Sequence, residues 1–387
     1  MKNFIFISIF VGTILGASVM VYAAEYTADL SLTVSEQYND NLFLDHSNKV
    51  SDYITSIAPV LALSTRTVQS DIAINYSPTL FLYKDNSDNN NVSHQASILG
   101  HYRVTEGLTL GLSDTFLQTR QSSLVRAAVG AGPITSGQGQ ERITTNTLSG
   151  DLAYKLTGKI TLLGNADYTY TDTQTGTGDV STYSGGLGAN YLFNERTTFR
   201  VKATYTFFHY TISGDATSNS YIAGVNYKLT PTIIADAFGG VVITRIDQPS
   251  SSDTGFTGGL SVTKTFERGT ASLSFVQDVI AGFESSSPVR SQTVLLRYSA
   301  PVTASLDASI SGFYSRYRPI GIAVSSGATI NRNDTGGTAD LTYRLLPWLS
   351  AIVSYTYINS DAQVDKSSSY INNVITAGLK LSKQAKF

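Results

Sequence analysis

Three features of the sequence predict an all-β fold: a transmembrane, antiparallel, up-and-down β-barrel of about eighteen strands, between roughly sixteen and twenty. Apolar and polar residues alternate at period two through long segments, of the roughly ten residues that a strand needs to cross a bilayer. Short turns alternate with longer polar loops, as they do when one end of a barrel faces the periplasm and the other the outside. Only 14% of the 387 residues are charged, against about 25% in soluble globular chains, so much of the surface is built to avoid bulk water.

The chain opens with a targeting segment. Lys2 gives a positive start, Phe4 to Val21 form an apolar run, and Val21-Tyr22-Ala23 places small residues before a cut. Residues 1–23 are therefore expected to be a signal peptide cleaved after Ala23 or Ala24, and residues 24–387 the barrel. No other stretch reaches the ~18 to 20 apolar residues of a transmembrane helix, so a membrane location requires strands.

The strands declare themselves by alternation. Leu30, Leu32 and Val34 interleave with Asp29, Ser31, Thr33 and Ser35; Ile72, Ile74, Tyr76, Leu80 and Leu82 with Asp71, Ala73, Asn75 and Ser77. Near the end, Ile375, Ala377, Leu379 and Leu381 interleave with Thr376, Gly378, Lys380 and Ser382. Tight turns are expected at Thr65–Gln69, Thr105–Gly107, Thr157–Lys159, Asn194–Arg196, Thr230–Pro231, Glu267–Gly269, Ala300–Pro301 and Leu346–Pro347. Between them, longer loops are expected at Asp85–Asn91, Ser122–Gln140, Thr211–Ser218, Gln248–Asp253, Pro319–Ile330 and Asp361–Ser369. Eight tight turns imply eighteen strands with both termini on the periplasmic side.

A recurring strand ending marks the membrane boundary. Tyr102, Tyr154, Tyr191, Tyr227, Tyr298 and Tyr343 each stand just before a turn, on the apolar face, and Trp348 follows a turn. Rings at that offset form an aromatic girdle, with the ring in lipid and the polar group wet. The opposite face lines a lumen. It carries Asp29, Asp71, Asp151, Asp167, Asp236, Asp278, Asp307 and Asp340, against Arg103, Lys155, Arg200, Lys202, Lys228, Arg297, Arg344 and Lys380. Of these, Arg103, Lys155, Lys228, Arg344 and Lys380 recur one residue from the girdle and would form a basic collar at the periplasmic mouth. The competing expectation is that Asp151, Asp167, Asp236, Asp307 and Asp340 pair with them across strands and stiffen the wall.

No pattern of catalysis or cofactor binding accompanies the barrel. His46, His94, His101 and His209 lie far apart in sequence, there is no Cys, and no Gly-x-Ser-x-Gly nucleophile motif occurs. Gly185-Gly186-Leu187-Gly188 has no strand–turn–helix setting for a phosphate and is expected to be plain strand. Asp85–Asn91 is rich in oxygen donors but lacks the glycine and closing glutamate of a calcium loop, so a solvated turn is expected. A net charge of −2 argues against nucleic acid as a partner. The chain is expected to hold no metal and no cofactor and not to be an enzyme. Ala127–Gly139, rich in Gly and Ser, is expected to be either an external tip or a constriction folded into the pore.

The segment Glu36-Gln37-Tyr38-Asn39-Asp40-Asn41-Leu42-Phe43-Leu44, followed by Ser51-Asp52-Tyr53-Ile54-Thr55, Ile57-Ala58-Pro59 and Leu61, resembles the porin-like outer-membrane β-barrel proteins associated with exopolysaccharide and exosortase (PEP-CTERM) systems. The likeness is clearest over residues 30–83. It implies a Gram-negative outer-membrane barrel, lodged in outer-membrane lipid, with exopolysaccharide-secretion proteins as possible partners and no catalytic residues. Phe387 looks like the terminal aromatic that barrel-assembly machinery reads, although Lys383 interrupts the alternation before it. Three functions are carried forward from the sequence: a passive pore for small hydrophilic solutes, a conduit or accessory barrel for exopolysaccharide secretion, and a docking barrel with a plugged lumen. Balanced lumen charges and aromatics on the lipid face favour the first over the second.

Overall fold

The computed structural model describes residues 25–120, 141–174, 179–248, 250–282, 287–320, 331–363 and 366–387. The expected signal peptide and the Ala127–Gly139 segment lie outside these residues.

Eighteen strands follow one another among the described residues. They are β1 (Glu25–Asn39), β2 (Asp52–Arg66), β3 (Ser70–Tyr83), β4 (Asn91–Arg103), β5 (Leu108–Thr119), β6 (Ile143–Lys155), β7 (Ile160–Thr173), β8 (Val180–Asn194) and β9 (Thr197–Tyr210). Then come β10 (Ala216–Thr230), β11 (Ile233–Ile246), β12 (Ser251–Phe266), β13 (Gly269–Gly282), β14 (Ser287–Pro301), β15 (Leu306–Pro319), β16 (Arg332–Leu346), β17 (Leu349–Ala362) and β18 (Tyr370–Lys386). Each strand pairs antiparallel with its neighbours in sequence, and β1 pairs with both β2 and β18, so the sheet closes. Closure leaves no unpaired strand at either side of the sheet, which the hydrocarbon would punish. Seven of the eight expected tight turns fall at a junction between consecutive strands; Ala300–Pro301 instead closes β14, and the turn itself lies at residues 302–305, where Val302 N and Thr303 N both reach the Leu306 carbonyl.

Two expected loops are shorter than the sequence suggested. Ala216–Ser218 already belong to β10 and Ser251–Asp253 to β12. These hairpins rise above the lipid belt, so polar residues occupy both faces and no hydropathy alternation marks the strand. Hydroxyl pairs such as Ser218 with Thr244 take its place.

Outward positions carry Leu30, Leu32, Val34, Leu61, Leu63, Ile74 and their counterparts around the ring, all exposed. Each such side chain left in water forgoes about 1.5–3 kcal/mol, so a belt of this size belongs in lipid. No helix among the described residues is long and apolar enough to cross a membrane. The seven expected girdle residues all face outward near the turn end and are 41–51% exposed. A second ring that the sequence did not reveal circles the loop end. It includes the pairs Tyr38–Tyr53, with ring centroids 5.2 Å apart, and Tyr168–Tyr183, at 4.9 Å.

Candidate functional site: a lumen with two unlike mouths

Register places all sixteen charged residues expected on the polar face on the inward face of the ladder. Asp151 opposes Asn165, Asp236 opposes Asn226, and Asp340 opposes Ser354 and Ser309, for example. The lumen is not wholly polar, because Leu99, Ile234 and Val276 share that inward parity and are exposed.

Along β9–β11 the wall holds one bidentate ion pair. Arg200 Nη1 and Nη2 donate to Asp236 Oδ2 and Oδ1 at 2.9 and 2.6 Å. The guanidinium crosses β10 at Gly224, where an added Cβ would lie 2.9 Å from Arg200 Nε, and rests 5.1 Å from the Phe238 ring centroid. Glycine is needed there because any side chain would push the cation off its acid. On β7, Asn165 donates to Asp167 at 2.5 Å, and Asp340 accepts from Ser309 and Ser354 at 2.9 and 2.7 Å.

At the turn end, the five collar cations stand within the last rows of their strands. Arg344 and Lys380 both oppose Ser350 across β17, and Arg103 and Lys155 end β4 and β6. Among the described residues no ion pair within 4.0 Å joins any collar cation to an acid. Asp236 is held by Arg200 rather than by Lys228.

The loop end is filled instead of lined. The β1–β2 connection turns into the barrel and buries Asn41, Leu42 and Leu44, at 0, 1 and 2% exposure. Asn41 anchors it: its Nδ2 donates to the carbonyls of Asp45 and Ile371 at 2.8 and 2.9 Å, and its Oδ1 accepts from Asp45 N. Asn39 Oδ1 accepts from Asn41 N and from Asn372 Nδ2, while both Asp40 oxygens accept from Asn373. Leu42 packs with Ile54, Phe81 and Tyr83. Leu44, at φ 55°, packs with Ile358 and Tyr370 on β17 and β18 and against Ile143 on β6, six strands further round the ring. A non-glycine residue in left-handed backbone is held there only by surroundings that outweigh its strain.

A second inward element is the outer corner of β13–β14. The β12–β13 ladder stops at Gly258–Gln277, although β12 continues along β11 to Ser251 and β13 continues along β14 to Gly282. Above that point Val279 and Ala281 pack on Val180, Phe208, Tyr210, Ala216 and Ile246, residues on the inner face of β8–β11. The corner has rolled across the mouth. Side chains bridge the seam it leaves: Gln277 Nε2 donates to the Phe256 carbonyl at 2.7 Å, and Thr257 Oγ1 to the Gln277 carbonyl at 3.1 Å. Arg290 reaches Asp253 over Gly255, a position where an added Cβ would collide with the guanidinium.

Other residues read from the sequence have plain structural places. Asp85–Asn91 forms a short 3₁₀ turn held by Asp52, which accepts from Asp85 N, Asn86 N and Asn86 Nδ2. Among the described residues no group of three or more His, Cys, Asp or Glu could hold a metal ion. Gly185–Gly188 lies within β8, with Leu187 facing outward. Phe387 is 78% exposed, and its backbone pairs with that of Tyr26. The inward loop was missed, yet it left a signal: Leu42-Phe43-Leu44 is too apolar for a solvated loop.

A closed barrel with an apolar belt between two aromatic rings is the architecture of outer-membrane proteins. No family model and no curated protein matches the sequence. Among solved structures, the chain is similar to OccK2 (OpdF) of Pseudomonas aeruginosa, crystallised with glucuronate, at 11% identity and a TM-score of 0.49, covering 92% of this chain and 98% of that one. OpdK of the same organism gives 11% identity, a TM-score of 0.49 and coverages of 92% and 99%. OccAB4 of Acinetobacter baumannii gives 11%, 0.46, and 95% and 99%.

Proposed function

We propose that this chain is an outer-membrane pore for passive passage of small hydrophilic solutes, narrowed at its loop end and open at its turn end. The observation that carries this reading is the inward face itself, where hydroxyls, amides and balanced charges line the wall while the apolar belt faces out. Water-filled barrels of this strand number leave an aqueous lumen. The unpaired collar gives the pore a preference for anions at its periplasmic mouth. The buried Asn41–Leu44 loop does not favour a polymer conduit, because a saccharide chain would have to expel it. Phe387 belongs to the same proposal as the terminal aromatic offered to barrel-assembly machinery.

The test is conductance of the refolded protein in planar bilayers. Discrete steps with millimolar-range or weaker solute competition support the pore. A protein that folds, shows a heat-modifiable band and passes no current supports the docking barrel. Loss of matrix secretion in a deletion strain, with conductance intact, supports the export conduit.

A further inference from the structure

The inner wall of β11–β15 carries an apolar strip. Phe238 opposes Gly259 on β12, which opposes Val276 on β13, and Leu295 on β14 opposes Phe313 on β15. All four side chains lie on the inward face, in the ladder below the point where β12 and β13 part. Val276 is 42% exposed and the other three are half-buried. Both rings lean across the next strand rather than into the channel. An added Cβ at Gly259 would come within 2.6 Å of Phe238 Cε1, and one at Gly336 on β16 within 2.6 Å of Phe313 Cε1. Each ring therefore fills the space over a glycine, and the strip spans β11 to β16. Apolar area facing a wet lumen forgoes its transfer free energy, so a wall that only enclosed water would carry hydroxyls here.

The rim of the strip says what it would take. Ser274 opposes Leu295, and Thr293 opposes Val276 and shares a hydrogen bond with Ser315 at 3.0 Å. Charge on the rim is balanced. Asp278 stands beyond Val276 towards the loop end and Arg297 beyond Leu295 towards the turn end, one of each sign. Arg200, with its guanidinium 5.1 Å from the Phe238 ring centroid, is neutralised by Asp236. An apolar floor edged by hydroxyls and planar charged groups fits a neutral ring with C–H bonds on its face and hydroxyls at its edge. Four strand spacings of about 4.8 Å separate the two phenylalanines, room for several such rings in a row. We infer that the strip is a binding subsite for uncharged pyranose sugars, singly or in short chains, with C–H faces laid along the floor between Phe238 and Phe313. The inference rests on the pore reading and gives it a substrate class.

The experiment uses the whole mature chain, refolded into planar bilayers, and follows the fall in ion current as maltotriose, trigalacturonate or mannitol is added. The wild type is expected to be blocked saturably by millimolar maltotriose. Trigalacturonate, which carries a carboxylate on each ring, and mannitol, which has the hydroxyls without the ring, should block about tenfold more weakly. The F238S/F313S double variant should raise the apparent dissociation constant for maltotriose about tenfold, the order expected for two lost aromatic faces. It should keep its heat-modifiable band and its current in the absence of sugar. F238L/F313L, which keeps an apolar floor but no ring, should fall between the two. Unchanged block in a folded variant overturns the site. Trigalacturonate blocking as tightly as maltotriose overturns the neutral class, and mannitol doing so overturns recognition of the ring. A wild-type current that no sugar alters rejects the subsite and leaves the pore intact, whereas a folded wild type without current rejects the pore and the subsite with it.

Discussion

The two mouths of this barrel are made by opposite means. At the turn end, strands stop in register, with a tyrosine at a constant offset facing lipid and a cation one residue away facing water. Nothing crosses the opening there among the described residues. At the loop end, the connection after β1 and the corner of β13–β14 both turn inward, and the residues they bury are apolar or fully hydrogen-bonded amides. For the proposed pore, the difference separates two tasks. A ring of unpaired charges acts at long range and lets solute through, whereas a packed loop sets the narrowest passage and must be held by contacts.

The sharpest break of that comparison removes the loop. Replacing residues 42–49 with two glycines should raise single-channel conductance severalfold, because Leu44 reaches towards Ile143 on β6 while Leu42 seats the loop on β2 and β3. Shortening the turn at residues 302–305 should leave conductance unchanged. Equal conductance in the two variants would mean that the constriction lies elsewhere.

The collar is the next largest effect. Reversing Lys155 and Lys228 to Glu together changes the charge near the turn end by four units while leaving the loop untouched. The reversal potential under a salt gradient should move from anion preference towards cation preference, with conductance altered much less. The shift should shrink in high salt, since the Debye length falls from about 10 Å at 0.1 M to 3 Å at 1 M.

This contrast also explains what the sequence revealed. Alternation, the girdle and the tight turns are local, repeated features: a one-residue slip would throw every Leu of a strand from lipid into the lumen, so the pattern is strongly constrained. Hence eighteen strands and eight turns could be counted from residues alone. The loop end is built from contacts between distant positions, such as Leu44 with Ile358 and Ile143, or Asn41 with the Ile371 carbonyl. No period marks those. Asn39-Asp40-Asn41 reads as turn chemistry, and only its hydrogen bonds to Asn372 and Asn373 show that it docks against β18. The Arg200–Asp236 pair was legible as two lumen charges, but Gly224 between them gave no sign that it was the crossing point.

A milder change tests the anchor rather than the loop. Asn41→Ala removes three hydrogen bonds from a fully buried position and leaves the Ile371 carbonyl without that donor. The cost should be about 2 kcal/mol, which raises the population of the undocked loop by roughly one to two orders of magnitude. The barrel ladders do not depend on it, so the heat-modifiable band should persist. The readout is faster proteolysis within residues 42–49 and intermittent visits to the conductance of the deletion variant. Cleavage no faster than wild type would place the docking energy in Leu42 and Leu44 alone.

The smallest effect concerns acid. Asp45 Oδ1 accepts the backbone N–H groups of Asn48 and Ser47, at 2.8 and 2.9 Å, within the same inward loop. Those bonds, that of Asn48 first, hold its carboxyl below the ordinary value of 3.8, with the adjacent His46 adding a little in the same direction. A group whose pKa is lowered on docking stabilises the docked loop above its free value, and that contribution disappears as pH falls through the docked value. The contribution of Asp45 to docking should therefore be constant from pH 8 down to about 5, and should fade only below about 4. Asp45 is exposed, so the change is slight: more frequent brief openings, without loss of the barrel. Asp45→Asn keeps an acceptor for both N–H groups but has no proton to gain. It should show somewhat more openings at pH 7 and no further rise on acidification. A variant that retains the wild-type acid transition would assign that transition to another group and leave Asp45 as a simple turn cap.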